Sequence, residues 1–256
     1  MGLGNPGERY RNTRHNAGFM AVALLAQKQG FGDPVRFGES LVSKGRIEDQ
    51  RVALAWPQTF MNLSGRAAKA LLRFYKIPAT DLLAVYDDMD LPLGRLKAGQ
   101  GGGVGGHNGL ASLVEEIGGG FHRLRVGIGR PDRSSPFQAD YASYVLAPFT
   151  SLEAEAIDEA LEAAAKSAFM WSFKGLGACQ RQTNQRNNLK KKKTRPESEE
   201  SGPAAGPVPE AAESAEPVLA AGSGPAGELG TAAGEDGSAG EAAPDQAPDL
   251  AAEPAD

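Results

Sequence analysis

His15, the acids Asp87, Asp88 and Asp90, and three asparagines, Asn5, Asn62 and Asn108, are the residues of this chain whose types and settings could do chemistry. They lie in G-L-G-N-P-G-E-R-Y-R-N-T-R-H-N-A-G at 2–18, T-F-M-N-L-S-G at 59–65, D-D-M-D-L-P at 87–92 and G-G-H-N-G at 105–109. A histidine whose ordinary pKa is ~6.5 can take a proton from water near neutral pH. It needs a carboxylate to fix its tautomer and support its positive form. Asp87, Asp88 and Asp90 are the candidates. An asparagine amide can accept from a water and donate to a carbonyl oxygen, which suits ester hydrolysis. Asparagine is also a good helix cap, and each of the three lies near a helix start. No serine or cysteine stands in a nucleophile-elbow setting, so direct attack by water is simpler than a covalent intermediate. His107 precedes Asn108 and is placed to orient it. His122, in F-H-R-L-R, reads as structural.

Other chemistries are disfavoured. The string G-x-G-x-x-G at Gly2, Gly4 and Gly7 lacks the strand before it, the helix directly after it and the acid about 20 residues on that a dinucleotide fingerprint needs. The glycine run 99–106 lacks the Gly-Lys-Ser/Thr ending of a nucleotide P-loop. It can still offer backbone N–H groups to a phosphate, with a helix N-terminus behind them; a flexible surface loop is the plainer alternative. His15, His107 and His122 lack paired metal-ligand spacing and the chain has one cysteine, so no metal is expected. D-x-x-D alone is too sparse for a calcium loop.

The elements that must position these residues alternate. Helical spacing of apolar residues predicts helices over 17–29, 62–75, 108–117 and 151–173, with a shorter one reaching about Asn187. Strands are expected over 41–47, 51–56, 82–86 and 123–128. Strands interleaved with helices predict a single-domain α/β fold, a central twisted mixed sheet flanked by helices. Sites in such folds gather at the carboxyl ends of strands, where Asp87 and Arg125 fall.

Composition divides the 256 residues near 196. All 27 Lys and Arg lie before Pro196 against 18 acids, a formal +9; the remainder carries 14 acids and no basic or aromatic residue. The expected division is a catalytic domain over 1–188, then a basic boundary and an acidic Ala/Gly/Pro-rich disordered tail over 189–256. A basic body suggests a polyanionic partner. Lys190 to Lys193 either add to that surface or form a solvated boundary. Cys179 alone excludes an internal disulfide and reads as a small apolar side chain on the C-terminal helix. No stretch reaches the ~18–20 apolar residues of a membrane span, and the start lacks a secretory signal's basic and apolar regions. Pro6 stands where a myristoylation signal wants Ser or Thr. The expectation is a cytoplasmic protein with no membrane association.

Read together, the segments G-L-G-N-P-G…R-H-N-A-G, T-F-M-N-L-S-G, D-x-x-D-L-P, G-G-H-N-G and H-R-L-R-V-G-I-G-R-P resemble the bacterial-type peptidyl-tRNA hydrolase family, in the expected order, over roughly residues 1–187. The resemblance implies a monomeric, metal-independent α/β enzyme. It would hydrolyse the ester joining a peptide to the 3′ end of tRNA and so recycle tRNA from prematurely released peptides. It implies His15 as the general base for water and Asp87 as the group stabilising its reactive form. Asn5 would help distinguish N-blocked substrate from free aminoacyl-tRNA. Asn62 and Asn108 would contact the peptidyl and terminal-adenosine region, Tyr10 and Phe60 would line the site, and Met61 would pack near His15. Arg125 matches a basic position for the tRNA 5′ phosphate.

Two departures from the family pattern stand out. Several apolar residues normally precede G-L-G-N-P-G as a central strand, whereas Met1 alone does here; the expectation is a shortened first strand or a start lying upstream. Of two basic positions before the glycines, Lys97 keeps one and Gly99 occupies the other, which weakens the expected phosphate clamp. A non-catalytic RNA-binding protein on the same fold is the alternative, since fold alone does not decide function. The base and carboxylate favour the enzyme, and the missing motif contexts disfavour a nucleotide-dependent enzyme.

Overall fold

The computed structural model describes residues 1–132 and 135–194, with side chains to Asn188. The expected acidic tail and the Lys190–Lys193 side chains lie outside what is described.

Helix α1 (Ala17–Lys28) follows a short 3-10 turn, Arg14–Asn16. Strands β1 (Val35–Phe37), β2 (Ser40–Ile47) and β3 (Gln50–Pro57) form an antiparallel meander. Helix α2 (Ser64–Tyr75) follows a 3-10 turn over Met61–Leu63. Then come β4 (Leu83–Asp88), β5 (Leu96–Gln100), α3 (Asn108–Ile117), β6 (His122–Gly127), α4 (Tyr141–Leu146) and α5 (Ala154–Thr194). The second sheet has the order β4-β6-β5, with β4 parallel and β5 antiparallel to β6.

The fold is α/β as expected, and its strand ladders form two three-stranded sheets. Between them lies Met1–Leu3. Gly2 N–H donates to Ala55 O of β3 at 3.0 Å, Leu3 N–H to Val85 O of β4 at 2.9 Å, and Val85 N–H to Met1 O at 2.9 Å. The segment that departs from the family pattern thus stitches one sheet to the other. The Met1 α-amino group is buried and donates to Leu83 O at 2.9 Å; burial pushes its pKa down to about 5.

Alternation along β4 divides the core. Leu83 and Val85 pack with Leu25 of α1, Leu124 of β6 and Leu161 of α5, while Ala84 and Tyr86 pack with Leu71 of α2, Leu110 of α3 and Phe121. Successive strand residues point to opposite faces, so one strand serves both layers. The C-terminal end of β4 is thereby held from both sides. Gly18 lets α1 approach it closely: a Cβ there would stand 2.1 Å from Val85 O.

The two expected C-terminal helices form one long element broken at Gly175, whose φ of 71° favours glycine. Cys179 is fully buried on it, and burial pushes its thiol up to about 12. Asn187 closes the edge of β5: its Nδ2 donates to Leu96 O at 2.7 Å and its Oδ1 accepts from Leu96 N at 3.3 Å. Strands β1 and β5 and helix α4 go beyond the sequence reading. Three to six residues are too few to show periodicity, and β5 merges in sequence with the glycine run. No helix of the described residues is long and apolar enough to cross a membrane.

Candidate active site

Asp87 ends the well-packed part of β4 and is 2% exposed. Its Oδ1 accepts from two imidazoles, His15 Nδ1 at 2.9 Å and His107 Nε2 at 3.1 Å. These residues lie 72 and 20 positions from it in sequence. An ionised carboxylate can only accept, so both facing ring nitrogens carry protons. Neutral His15 therefore has its proton on Nδ1 and its lone pair on Nε2. Burial pushes the His15 pKa down, but the Asp87 charge and hydrogen bond outweigh it and hold the pKa above 6.5. Burial pushes Asp87 up, and the charges and hydrogen bonds of the two histidines hold it well below the usual carboxylate range.

The backbone carrying His15 is fixed by its neighbour. The Arg14 guanidinium is buried and donates to Pro148 O at 2.7 Å and Glu153 Oε2 at 2.6 Å, beneath the Tyr144 ring at 4.3 Å. Asn16, on the other side, clamps Asn5. Its Oδ1 accepts from Asn5 N at 2.8 Å and its Nδ2 donates to Asn5 O at 3.0 Å. Asn5 in turn accepts the Met61 N–H through Oδ1 at 2.8 Å, capping from a distant segment the 3-10 turn that leads into α2. A buried amide network of this kind, with its bonds made, holds a single geometry.

His107 does more than orient the residue after it. It is the N-cap of α3, and its Nδ1 accepts from Gly109 N at 3.1 Å and Leu110 N at 3.3 Å. Asn108 is the first residue of that helix rather than its cap. The His15 and His107 rings lie 4.8 Å apart, and the Tyr86 ring stands edge-on to His107 at 5.1 Å.

His15, Asp87, His107, Asn108, Lys97 and Arg125 line one open cleft of about 590 Å3, roofed by the glycine run and α4. Gly101, Gly102, Gly105 and Gly106 all have positive φ, a loop backbone that favours glycine. Met61 is buried in the layer with Leu3 and Leu110. Phe60 and Asn62, on either side of it, are exposed. Tyr10 is half-buried on the turn Glu8–Tyr10 beside Arg9 and does not line this cleft.

Among the cations, Arg125 is committed to an ion pair with Asp88, while Lys97, its partner position across β5 and β6, is exposed. Arg123 was not anticipated. It is buried against the Phe121 ring and donates to Gly103 O at 2.7 Å, tying the glycine run to β6. Asn16 and the Asp87 bond of His107 were missed as well. Asn16 stood in the quoted R-H-N-A-G segment, but only a fold shows which backbone it meets.

His15, Asp87 and His107 bring three ligand-type atoms within 4.8 Å of one another, despite the unpaired spacing of the histidines in sequence. Their hydrogen bonds describe a proton-handling arrangement. A neutral base, its buried carboxylate and an open cleft suit attack by an activated water on an ester or similar carbonyl.

A family model described as Peptidyl-tRNA hydrolase matches residues 1–194. The chain is 50% identical over 154 residues to the peptidyl-tRNA hydrolase of Geobacter metallireducens, covering 60% of this chain and 77% of that one. It is 46% identical over 186 residues to that of Chloroflexus aggregans, covering 72% and 97%. A crystal structure of peptidyl-tRNA hydrolase from Acinetobacter baumannii matches with a TM-score of 0.66 at 37% identity, covering 72% of this chain and 92% of the other.

Proposed function

The chain belongs to the peptidyl-tRNA hydrolase family and is a hydrolase of peptidyl-tRNA; from that premise we propose that His15 is the general base and Asp87 its supporting carboxylate. The observation that carries this reading is the 2.9 Å bond from His15 Nδ1 to Asp87, which leaves Nε2 as the basic lone pair. In this mechanism Nε2 takes a proton from water as the oxygen attacks the ester carbonyl. Asp87 stabilises the imidazolium so formed, and the proton then passes to the departing ribose oxygen of the terminal adenosine. Atoms balance as one water consumed, one peptide acid and one tRNA hydroxyl released.

Asn5, with Oδ1 committed to Met61 N–H, has its Nδ2 as the end that addresses the N-blocked peptide. Asn108, which lines the cleft, and the exposed Asn62 and Phe60, which lie outside its lining, meet the peptidyl and terminal-adenosine region. Lys97 is the more available phosphate contact, because Arg125 is paired with Asp88. The catalytic domain spans 1–188 and works as a cytoplasmic monomer.

Release of the acetylated amino acid from N-acetyl-aminoacyl-tRNA tests the reading, with free aminoacyl-tRNA and His15→Ala as controls. Selective release that His15→Ala abolishes, at tRNA affinity within a few-fold of the parent, is expected. A folded protein that binds tRNA and releases nothing would make it the RNA-binding protein of the alternative reading.

A further inference from the structure

His107 has two sets of bonds that together determine where its proton sits. Gly109 N–H and Leu110 N–H both point at Nδ1, at 3.1 and 3.3 Å. Backbone N–H groups cannot lose their protons, so Nδ1 must be the acceptor and the ring proton must lie on Nε2. That Nε2–H faces Asp87 Oδ1 at 3.1 Å. The side chain is almost fully buried, so water cannot easily substitute for either bond.

We infer that His107 is a positioning residue: the first turn of α3 holds it as a permanent Nε2–H donor, and that donor fixes Asp87 for His15 and closes the trio to divalent metals. The inference rests on the assignment of His15 and Asp87 above. Asp87 sits at a strand end beside a glycine-rich cleft, where a carboxylate with one donor could rotate. A second donor on the same Oδ1 restrains that rotation and keeps the oxygen within reach of His15 Nδ1–H. It also helps keep Asp87 ionised and therefore unable to donate, which forces His15 into its Nδ1–H tautomer.

Metal exclusion follows from the same protons. A neutral imidazole that ligates through Nε2 carries its proton on Nδ1. In His107 that proton would face two backbone N–H groups. Three ligand-type atoms lie close together, yet one of them is held in the form that cannot ligate.

The test compares two full-length variants that separate donation from capping. His107→Ser is a good N-cap but too short to reach Asp87; His107→Gln is a poorer cap whose amide nitrogen can take the place of Nε2. His107→Ser is expected to lower kcat about ten- to a hundredfold, the scale of one hydrogen bond to a charged group, with KM within about threefold. His107→Gln is expected to restore most of kcat. The reverse ranking, with Ser active and Gln weak, would reduce His107 to a helix cap and overturn the inference.

Two further readings on the parent protein do not depend on turnover. Nitrogen NMR of the ring at about pH 8 is expected to show the Nε2–H tautomer of His107, and an Nδ1–H tautomer overturns the lock. Cobalt(II) is expected to give no stoichiometric visible spectrum; one that disappears in His107→Ser overturns the metal exclusion. A protein without hydrolysis but with the expected tautomer would retain the lock and lose only the assigned activity.

Discussion

Asp87 is 2% exposed and takes both donors on its Oδ1 from the protein, whereas Phe60, 54% exposed, offers its ring to solvent. The same contrast runs through the residues assigned to the site and those beside them. Asn5, Asn16, His15 and Arg14 are buried and bound to one another, to backbone or to the acids Asp87 and Glu153. Asn62, Asn108 and Lys97 are exposed. A group that must move a proton in one geometry gains from fixed dipoles that need no rearrangement during reaction. A group that must receive peptides of varied sequence gains from freedom to adapt. Substitutions inside should therefore cost chemistry or stability, and those on the rim should cost binding alone.

Asp87→Asn gives the sharpest break. The amide oxygen can still accept from both imidazoles, but the negative charge that supports the His15 imidazolium is lost, and kcat should fall about 10³- to 10⁴-fold, by analogy with carboxylate loss in other His-dependent hydrolases. Affinity for tRNA should stay within a few-fold; parallel collapse of binding would show that the two regions are not separable. Asn16→Ala comes next. It strips Asn5 N–H and C=O of their partners and should destabilise the fold by about 2–6 kcal/mol in urea unfolding, at roughly 1–3 kcal/mol for each buried group left unpaired. An unchanged midpoint would mean that Asn5 is held by Met61 alone.

The pH response sharpens the comparison from inside. Hydrolysis needs neutral His15, so activity should rise about tenfold per pH unit below the His15 pKa and level off above it, with the midpoint above 6.5. The stability contribution runs the other way. A histidine whose pKa is raised on folding contributes fully below the unfolded value of ~6.5 and loses that contribution as pH rises through the folded value. An activity midpoint below 6.5 would mean that desolvation, not Asp87, governs His15. The smallest effect belongs to the rim. Phe60→Ala should raise KM about three- to tenfold while stability stays within about 0.5 kcal/mol. A marked loss of stability would place Phe60 with the interior after all.

Much of the scaffold was legible because its signals are local. The glycine run followed by N-G-L-A-S-L-V-E-E-I marks α3 to its first residue, and the apolar run closing on Asp87 marks β4. The two C-terminal helices show in apolar spacing, with Gly175 as their joint. Strand β5 was not legible, because a strand bordering glycines carries little alternation and is recognised only by its pairing with β6. The division of the strands into two sheets joined by Met1–Leu3 also depends on pairing.

The chemistry divides along the same line. Residue type and setting nominate His15, the acids Asp87, Asp88 and Asp90, and the asparagines, because a base, a carboxylate and amides are defined by their own atoms and by the glycines that let backbone come close; the family resemblance chose Asp87 among the acids. Which carboxylate meets which ring nitrogen is not a property of either residue. Tertiary structure decided that Asp87 is shared by two histidines, that Asn16 clamps Asn5, and that Arg125 is spent on Asp88. The physical reason is range. Hydrogen bonds act over about 3 Å, and only the packing of α1 and α3 on opposite faces of β4 brings groups 72 and 20 residues away within that distance of one oxygen.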